Sequence, residues 1–355
     1  MKTPSEEIDV LRKQIDEVNA QLLRLLSQRA ELVLRVAELK RQTGLPMYDP
    51  VREAEELAEV LPRNSGPFSD ATIKHLFNEF FRASLDLQRG VRDRTLRVTR
   101  AFHETDTVFT VGEVTIGAKP LVIAGPCAVE SAEQIEQVAA QLARRGVRIL
   151  RGGAHKPRTS PYSFQGIGDA GYRLLAEAAH RHGMICVSEV LDEAGVAAAA
   201  ECVDMLQVGA RNMANFRLLE VVREAHKPVL LKRGPAATYE ELLLAAEYLI
   251  IGTEQIMVCE RGIRTFENWT RNTLDISAVP LLRAMSHLPV AVDVSHAAGR
   301  PDILAPLARA ALAAGANAIM IEVHPTPALA LSDPEQQIDF AQFDKFLSAI
   351  AEFLT

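Results

Sequence analysis

The feature of this sequence that most limits its fold is a regular alternation of apolar runs and helical stretches from residue 119 onwards. Eight short runs are rich in apolar and β-branched residues: PLVIAGP, VRILRGG, MICVSEV, MLQVGAR, PVLLKRG, IMVCERG, VAVDVSH and AIMIEVH. Ala- and Leu-rich stretches separate most of them, and FAQFDKFLSAIAEFL closes the series as an amphipathic helix. Eight such units in roughly 235 residues predict an α/β fold, a (β/α)8 TIM barrel over 119–355. A doubly wound open sheet is the alternative, which eight units without a dominant Gly-rich turn disfavour.

Residues 1–92 show a purely helical pattern. Apolar residues recur at alternating spacings of three and four, at Ile8, Leu11, Ile15, Val18, Leu22, Leu25, Leu32, Val36 and Leu39. This spacing predicts a helix of about 35 residues and about 50 Å. Two further helices are predicted at 51–60 and 69–88, on either side of the turn cluster PRNSGP. Because so small a three-helix domain cannot bury so long a helix alone, we expect a homo-oligomer, either a dimer or a tetramer.

A different pattern connects the two regions. Within 93–118, LRVTRAF and TVFTVGEVTIG alternate in a strand-like way and contain several Thr and Val residues. We therefore predict a linker with a short β-hairpin. The arginines at 89, 92, 94, 97 and 100 are interpreted as a solvated linker and strand face rather than a nucleic-acid site.

Composition excludes several classes of partner. The formal net charge is −7, so no overall basic field attracts nucleic acid. No apolar run approaches the roughly 20 residues of a membrane span, and MKTPSEEIDV lacks a signal-peptide core. The four cysteines have no CxxC spacing. We expect reduced thiols, a cytoplasmic location, and neither nucleic acid nor membrane as a partner.

The ends of the eight runs carry charged residues, and in a barrel these ends form the active-site rim. The cations are Arg151, Lys156, Arg158, Arg211, Lys232 and Arg261. Six cations around one pocket repel one another unless anions bind, and arginine suits phosphate and carboxylate groups. The set therefore indicates more than one anionic group, such as two phosphates and a carboxylate. For any single cation, an ion pair with a neighbouring acid is the alternative.

A second group at the same rim consists of Cys127, His296, Glu322 and Asp333. These residues follow the first, seventh and eighth runs, which are neighbours when a barrel closes. A thiolate, an imidazole and two carboxylates suit a divalent ion such as Mn, Fe, Co or Zn. Taken singly, Cys127 could be a buried apolar residue and His296 an ordinary rim histidine.

The barrel region resembles 3-deoxy-D-arabino-heptulosonate 7-phosphate (DAHP) synthases. The motifs are AGPCAVES, GGAHKPRTSPYSFQG, QVGARNM, LLKRG, CERG, DVSHAAGR and IEVHP with a later LSD. The resemblance implies condensation of phosphoenolpyruvate with erythrose 4-phosphate, with a divalent metal as cofactor. The sister family of 3-deoxy-D-manno-octulosonate 8-phosphate synthases is the alternative, although it typically has Lys-Ala-Asn-Arg where this chain has KPR.

The resemblance also implies roles for individual residues. Phosphoenolpyruvate would bind Arg151, Lys156, Arg211, Lys232 and Arg261. Erythrose 4-phosphate would bind Arg158, Thr159, Ser160 and Asp293. The metal would bind Cys127, His296, Glu322 and Asp333, and Lys156 and Glu189 are candidates for proton transfer.

The helical region resembles the all-helical class of chorismate mutases over about 5–90. The matching residues are Arg12, Arg29, Lys40, Asp49, Arg52, Glu53, Ser84 and Gln88. The apolar spacing supports this resemblance at one position. It predicts an apolar residue at 29, but the residue there is Arg29, and a guanidinium in such a seam needs an anion. The resemblance implies binding of chorismate or prephenate, with Lys40, Glu53 and Gln88 in catalysis, and feedback inhibition of the barrel by either ligand. A non-catalytic dimerisation module is the alternative.

Overall fold

The computed structural model describes residues 4–43, 45–46, 48–93, 96–156, 160 and 162–354, without the side chains of 89–93. The chain divides into two compact units, Met1–Leu96 and Arg97–Thr355. Among the described residues, no helix combines the length and the apolar character that crossing a bilayer requires. All four cysteines are free thiols.

The first unit contains the three predicted helices. They are α1 (Pro4–Thr43), α2 (Pro50–Val60) and α3 (Asp70–Asp93), with a 3-10 turn at Leu61–Arg63. Helix α2 begins where Pro50 supplies a suitable backbone angle and the Asp49 side chain accepts a hydrogen bond from the Arg52 N–H. The first and third helices are longer than the sequence pattern predicted, but the all-helical fold is confirmed.

Helix α1 leaves its apolar seam largely uncovered. It packs against α3, yet Ala37 is its buried residue, whereas Ile8 is 50%, Ile15 58% and Leu22 51% exposed. Burying such side chains stabilises a protein by roughly 1.5–3 kcal/mol each. One copy of the first unit therefore leaves an extended apolar surface in water.

The second unit is a closed barrel preceded by a hairpin. The hairpin pairs β1 (Phe109–Val111) with β2 (Val114–Ile116). The barrel strands are β3 (Leu121–Gly125), β4 (Ile149–Arg151), β5 (Ile185–Val190), β6 (Met205–Val208), β7 (Val229–Lys232), β8 (Ile256–Glu260), β9 (Val290–Asp293) and β10 (Ala318–Glu322). All eight are parallel to their neighbours, and β10 pairs with β3. The predicted (β/α)8 barrel is confirmed.

Helices surround the barrel. They are α4 (Ala132–Arg144), α5 (Ala170–Arg181), α6 (Glu193–Ala200), α7 (Phe216–Glu224), α8 (Tyr239–Ile250), α9 (Ala278–Met285), α10 (Val294–Ala298), α11 (Leu304–Ala313) and α12 (Phe340–Ile350). Short 3-10 turns occupy Ala210–Asn212, Pro301–Ile303, Pro327–Leu329, Pro334–Gln336 and Ala351–Phe353. Local sequence sets several starts: Ser131, Asp192 and Asn215 each accept a backbone N–H at their helix N-terminus, and Thr238 and Asp339 form capping boxes.

The hairpin closes the N-terminal end of the barrel. Its alternate residues Phe109, Val111, Val114 and Ile116 pack in one cluster with at least one inward-facing residue from the N-terminal half of each barrel strand. Those strand residues include Ile123, Ile149, Ile185, Met205, Leu230, Met257, Ala291 and Ala318. The hairpin is therefore part of the barrel core.

The strand predicted for LRVTRAF does not form. Thr99 makes an isolated bridge with Ser286, and turns surround it. The reason is that the N–H groups of Arg97 and Val98 both donate to the Glu247 carboxylate, so they are not available for a strand partner.

Candidate active sites

A pocket of about 220 Å³ opens at the C-terminal ends of the barrel strands. The cations around it are Arg151, Arg211, Lys232, Arg261, Arg264 and Arg271, whereas Glu189 is the carboxylate in its lining. Four of the six predicted cations lie here, since β4, β6, β7 and β8 end at this rim. The local excess of positive charge suits an anionic ligand.

Crowding among these cations is visible at Arg261. Burial lowers its pKa, and the positive charges of Arg271 and Arg211 act in the same direction, against the attraction of Asp293. A bound anion would relieve this repulsion, because an opposite charge nearby favours the charged guanidinium.

Three of the predicted cations, two of them in the pocket lining, are already held by acidic or carbonyl groups. Arg151 donates from Nη1 to Glu322 Oε1 at 2.6 Å and to the Pro126 carbonyl at 2.8 Å. Lys232 forms an ion pair with Asp293. The Lys156 ammonium donates to the Cys127 carbonyl at 3.1 Å. Acidic partners thus offset part of the positive charge around the pocket.

The predicted metal ligands lie beside this pocket as two pairs. The Cys127 Sγ atom is 3.3 Å from Asp333 Oδ2, and it is also 2.9 Å from the Ser332 hydroxyl. Burial raises the pKa of the Cys127 thiol to about 12. A thiol in this position ligates a metal only when the cation displaces its proton, which is released to solvent.

The second pair joins His296 to Glu322. The His296 Nε2 atom is 3.6 Å from Glu322 Oε1, while its Nδ1 atom is 2.8 Å from Asp293 Oδ2. Burial lowers the pKa of His296 to about 4 despite these carboxylates, so the imidazole is neutral at pH 7. A neutral imidazole with one nitrogen close to a carboxylate is a common form of a metal-ligating histidine. The donor set and this orientation fit a divalent ion.

The first unit has a cavity of its own, of about 400 Å³. Seven of the eight residues predicted there line it: Arg29, Lys40, Asp49, Arg52, Glu53, Ser84 and Gln88. The eighth, Arg12, does not. Its side chain is 74% exposed and pairs with Asp9 at 3.4 Å near the start of α1.

Arg29 shows why the apolar seam is interrupted. Its guanidinium hydrogen-bonds to the Ser84 hydroxyl, lies 4.0 Å from Glu56 Oε2, and sits 5.9 Å from the centre of the Phe81 ring. The Gln88 Oε1 atom is buried nearby without a partner among the described residues. Unpaired buried acceptors are costly, so this one is available to a ligand that donates a hydrogen bond.

The family follows from comparison with known proteins. A model of the DAHP synthetase I family matches residues 102–354. The chain belongs to this family. A second model, of chorismate mutase type II, matches residues 11–89. Both resemblances read from the sequence are thereby confirmed: the chain is an enzyme that combines a DAHP synthase barrel with a chorismate mutase domain.

Individual relatives agree with the family. The phospho-2-dehydro-3-deoxyheptonate aldolase of Thermotoga maritima is 54% identical over 252 residues, which are 70% of this chain and 75% of that protein. A 2-dehydro-3-deoxyphosphooctonate aldolase of Acidithiobacillus ferrooxidans is 34% identical over 231 residues, 60% of this chain and 81% of the relative. The higher identity lies with the heptonate enzyme.

Solved structures show the same relationship. The crystal structure of the Thermotoga maritima DAHP synthase is 52% identical, with a TM-score of 0.70 over 72% of this chain and 75% of that one. A truncated form of that synthase is 48% identical, with a TM-score of 0.68 over 73% of this chain and 96% of the other.

Sequence reasoning missed two cations of the DAHP synthase pocket, Arg264 and Arg271. Both lie in the loop between β8 and α9, several residues beyond the strand end. Arg271 also contacts Asp333 at 3.3 Å and Gln336 Oε1 at 2.6 Å. The signal was three arginines in the segment RGIRTFENWTR, which directly follows a strand.

The residues predicted to bind the sugar phosphate are placed only in part. Arg158 and Thr159 lie outside the described residues. Ser160 lies in the β4–α5 loop, where its hydroxyl accepts from the Tyr162 N–H at 3.3 Å. Asp293 is fully buried, and its two oxygens face Lys232 and His296. Its assigned role stays a prediction.

Proposed function

We propose that the barrel condenses phosphoenolpyruvate with erythrose 4-phosphate to give DAHP and inorganic phosphate. The observation that carries the proposal is the cation-rich pocket directly beside the Cys127, His296, Glu322 and Asp333 donors. Two phosphorylated substrates need several cations, and an aldehyde acceptor needs an electrophilic activator.

We assign binding of phosphoenolpyruvate to the cations at the strand ends. Phosphoenolpyruvate carries a phosphate and a carboxylate, which suit Arg211 and Arg261 together with Arg151, Lys156 and Lys232. Because Arg261 is crowded by neighbouring cations, it gains most from an incoming anion. Arg158, Thr159, Ser160 and Asp293 would then hold the sugar phosphate.

Cys127, His296, Glu322 and Asp333 would hold the metal ion on which members of this family generally depend. A divalent ion, one of Mn, Co, Fe or Zn, would polarise the aldehyde oxygen as a Lewis acid. Arg151 and Gln336 would orient Glu322, since they donate to its two oxygens at 2.6 Å and 2.5 Å.

The reaction then needs proton handling by the chain. Carbon 3 of phosphoenolpyruvate forms a bond to the aldehyde carbon, and the aldehyde oxygen gains a proton. Water adds at carbon 2 and loses a proton; the new hydroxyl then gives up its own proton and becomes the ketone as the bond from carbon 2 to the phosphate oxygen breaks and inorganic phosphate leaves. Lys156 and Glu189 are the groups we assign to these transfers: Glu189 lines the pocket, and the buried Lys156 ammonium donates to the carbonyl of the proposed metal ligand Cys127.

Phosphoenolpyruvate consumption by the purified chain tests this proposal. We expect turnover with erythrose 4-phosphate that EDTA abolishes and divalent ions restore. A Cys127→Ala variant should lose the metal-dependent turnover, and full activity in that variant would overturn the ligand assignment. Turnover with arabinose 5-phosphate instead would move the chain to the octulosonate 8-phosphate synthases.

For the helical unit we propose conversion of chorismate to prephenate. No nucleophile is needed, because the cavity holds the substrate folded and stabilises charge on the ether oxygen. Lys40 and Gln88 would contact that oxygen, Glu53 the substrate hydroxyl, and Arg29 a carboxylate. Asp49, Arg52 and Ser84 complete the lining.

We further propose that two copies share each mutase site. The cavity has three cations, Arg29, Lys40 and Arg52, and three carboxylates, Asp49, Glu53 and Glu56. A dicarboxylate substrate therefore needs more positive charge, which Arg12 of a second copy would supply. The exposed seam of α1 would pair in such a dimer, and two dimers could form a tetramer.

A mixing experiment tests the shared site. Arg12→Ala and Lys40→Ala chains should each be inactive towards chorismate. When they are unfolded and refolded together, half of the dimers contain both chains and each holds one complete site, so about one quarter of the activity should return. If no activity returns although sedimentation shows mixed dimers, Arg12 acts within its own chain.

The last part of the proposal is regulation. Prephenate or chorismate bound in the helical unit would inhibit the barrel, so the two sites would share a coupling free energy. Barrel turnover measured with and without prephenate tests this directly. If prephenate does not change barrel turnover, the helical unit is a mutase that does not regulate the barrel. A cytoplasmic location also belongs to the proposal, supported by the four free thiols.

A further inference from the structure

Three metal-ligating side chains lie together at the N-terminal edge of the barrel, far along the strands from the active-site rim. Cys186 is the second residue of β5, Asp204 directly precedes β6, and His180 is the penultimate residue of α5. One ligand atom from each residue lies within 4.8 Å of the other two. The cluster therefore links a strand, a helix and the start of the neighbouring strand.

The orientation of Cys186 follows from the strand pattern. Its neighbours Ile185 and Val187 face the barrel core, so Cys186 faces outward, between the barrel wall and the helices. Its side chain is fully buried, whereas His180 is 51% and Asp204 25% exposed. An ion can therefore reach the buried sulfur from the solvent side, past the imidazole.

The distances are close to those of a tetrahedral zinc site. Asp204 Oδ2 lies 3.3 Å from Cys186 Sγ and 2.8 Å from His180 Nε2. Zinc bonds of about 2.0 Å to oxygen and nitrogen and about 2.3 Å to sulfur place these atoms about 3.5 Å and 3.3 Å apart. The Cys186 sulfur is therefore already close to the required distance from Asp204 Oδ2. The half-exposed His180 imidazole needs to move away from that oxygen by about 0.5 Å.

The donor chemistry selects the ion. A thiolate and an imidazole with one carboxylate suit zinc or cobalt, whereas magnesium and calcium prefer oxygen ligands alone. Burial, Asp204 and Cys202 all raise the pKa of the Cys186 thiol. The thiolate therefore forms when a cation replaces its proton, which passes to solvent.

We propose that His180, Cys186 and Asp204 bind a zinc ion that fastens α5 to the barrel wall, with water as the fourth ligand. This centre is separate from the one proposed at Cys127 and does not depend on the reaction. Its position on the face opposite the active site assigns it to stability rather than catalysis. Without metal, the Asp204 carboxylate accepts hydrogen bonds from the Cys186 N–H and the Cys186 thiol and pairs with the His180 imidazole.

Cobalt titration of the full chain tests the proposal, because a thiolate ligand gives cobalt an intense charge-transfer absorption. The Cys127→Ser background removes the other proposed thiolate ligand. In that background we expect one cobalt equivalent with thiolate absorption, which zinc displaces. Adding Cys186→Ser should remove the absorption, and adding Cys202→Ser, a nearby cysteine outside the cluster, should preserve it.

Histidine variants give a second readout in the same background. His180→Gln should weaken cobalt binding by at least about 100-fold, since loss of a direct ligand exceeds the 10- to 100-fold effect of an outer partner. His182→Gln is the matched control. His182 lies at the end of the same helix as His180, but it pairs with Glu136 and not with the proposed zinc ligands. Zinc should raise the thermal midpoint of the His182 variant but not that of the His180 variant. Absence of thiolate absorption in the Cys127→Ser chain, or its persistence after Cys186→Ser, would refute the site.

Discussion

Gly209 offers a direct test of the role assigned to Glu189. A methyl group at Gly209 would overlap the Glu189 Oε1 atom and lie 2.6 Å from its Cδ. Gly209 itself has φ −70° and ψ 158°, a conformation that alanine adopts readily. The Gly209→Ala substitution should therefore leave the fold intact and displace the carboxylate of Glu189 in the pocket.

The size of the effect follows from that displacement. Real Cβ atoms essentially never show contacts under 3.0 Å, so the carboxylate must retreat by about 1 Å. A catalytic group misplaced by about 1 Å costs about 100-fold in rate, which equals about 2.7 kcal/mol. Stability should change by less than about 1 kcal/mol, because alanine restricts the unfolded chain at this compatible site.

The assay is kcat/KM for phosphoenolpyruvate consumption in four proteins: the parent chain, Gly209→Ala, Glu189→Ala and the double variant. If the effect acts through Glu189, Gly209→Ala should cost less than about threefold once the carboxylate is gone. A full additional 100-fold loss in the double variant would refute the reasoning, because it would show that the methyl group obstructs the substrate itself. Undiminished activity of Gly209→Ala would show that Glu189 needs no fixed position.

Three further predictions address other parts of the chain. Ile116→Ala, at a fully buried hairpin residue, should lower the free energy of barrel unfolding in urea by about 3 kcal/mol. Val108→Ala, at a half-exposed site, is the control and should change this free energy by under about 0.5 kcal/mol. Equal effects of the two substitutions would exclude the hairpin from the core. Arg29→Ala should abolish chorismate turnover and prephenate inhibition but leave uninhibited barrel turnover, and normal inhibition in this variant would separate the cavity from regulation. Asp106→Asn tests acid sensitivity: the hydrogen bond from Arg100 lowers the pKa of Asp106, so its stabilising effect is present at pH 7 and is lost as pH falls through the lowered pKa. The parent and the variant should differ by under about 1 kcal/mol at neutral pH and converge in thermal unfolding as the pH falls through the lowered pKa of Asp106, and a difference that grows in acid would contradict the assignment.

The barrel was predictable because its strands are buried on both faces and read as continuous apolar runs. Helix starts were predictable where a capping side chain precedes the helix, as at Ser131 and Thr238. The strand assigned to LRVTRAF failed for a reason that lies far away in the chain: Glu247 accepts the two N–H groups that a strand partner would need. Alternation alone does not reveal such a competitor.

In the candidate sites, too, the sequence pattern did not reveal contacts between residues that are distant in sequence. The end of each strand indicated which residues reach the rim, and most of the predicted pocket cations lie there. The pairing of Arg151 with Glu322 depends on the closure of β10 against β3, the neighbour of β4, and no local pattern encodes a partner 171 residues away. Arg264 and Arg271 were missed because a loop, unlike a strand, has no period that fixes where its side chains point.

The hairpin has a consequence for how such a two-part enzyme can arise. Because β1 and β2 close the floor of the barrel, everything the barrel needs for its own interior begins at about residue 97. A gene fusion, deletion or exchange ahead of that point alters what precedes the barrel without uncovering its apolar floor. A cut at residue 118, by contrast, would expose the lowest core layer and invite aggregation. Because the hairpin covers the N-terminal end of the barrel core, the segment upstream of it can change in evolution independently of the barrel.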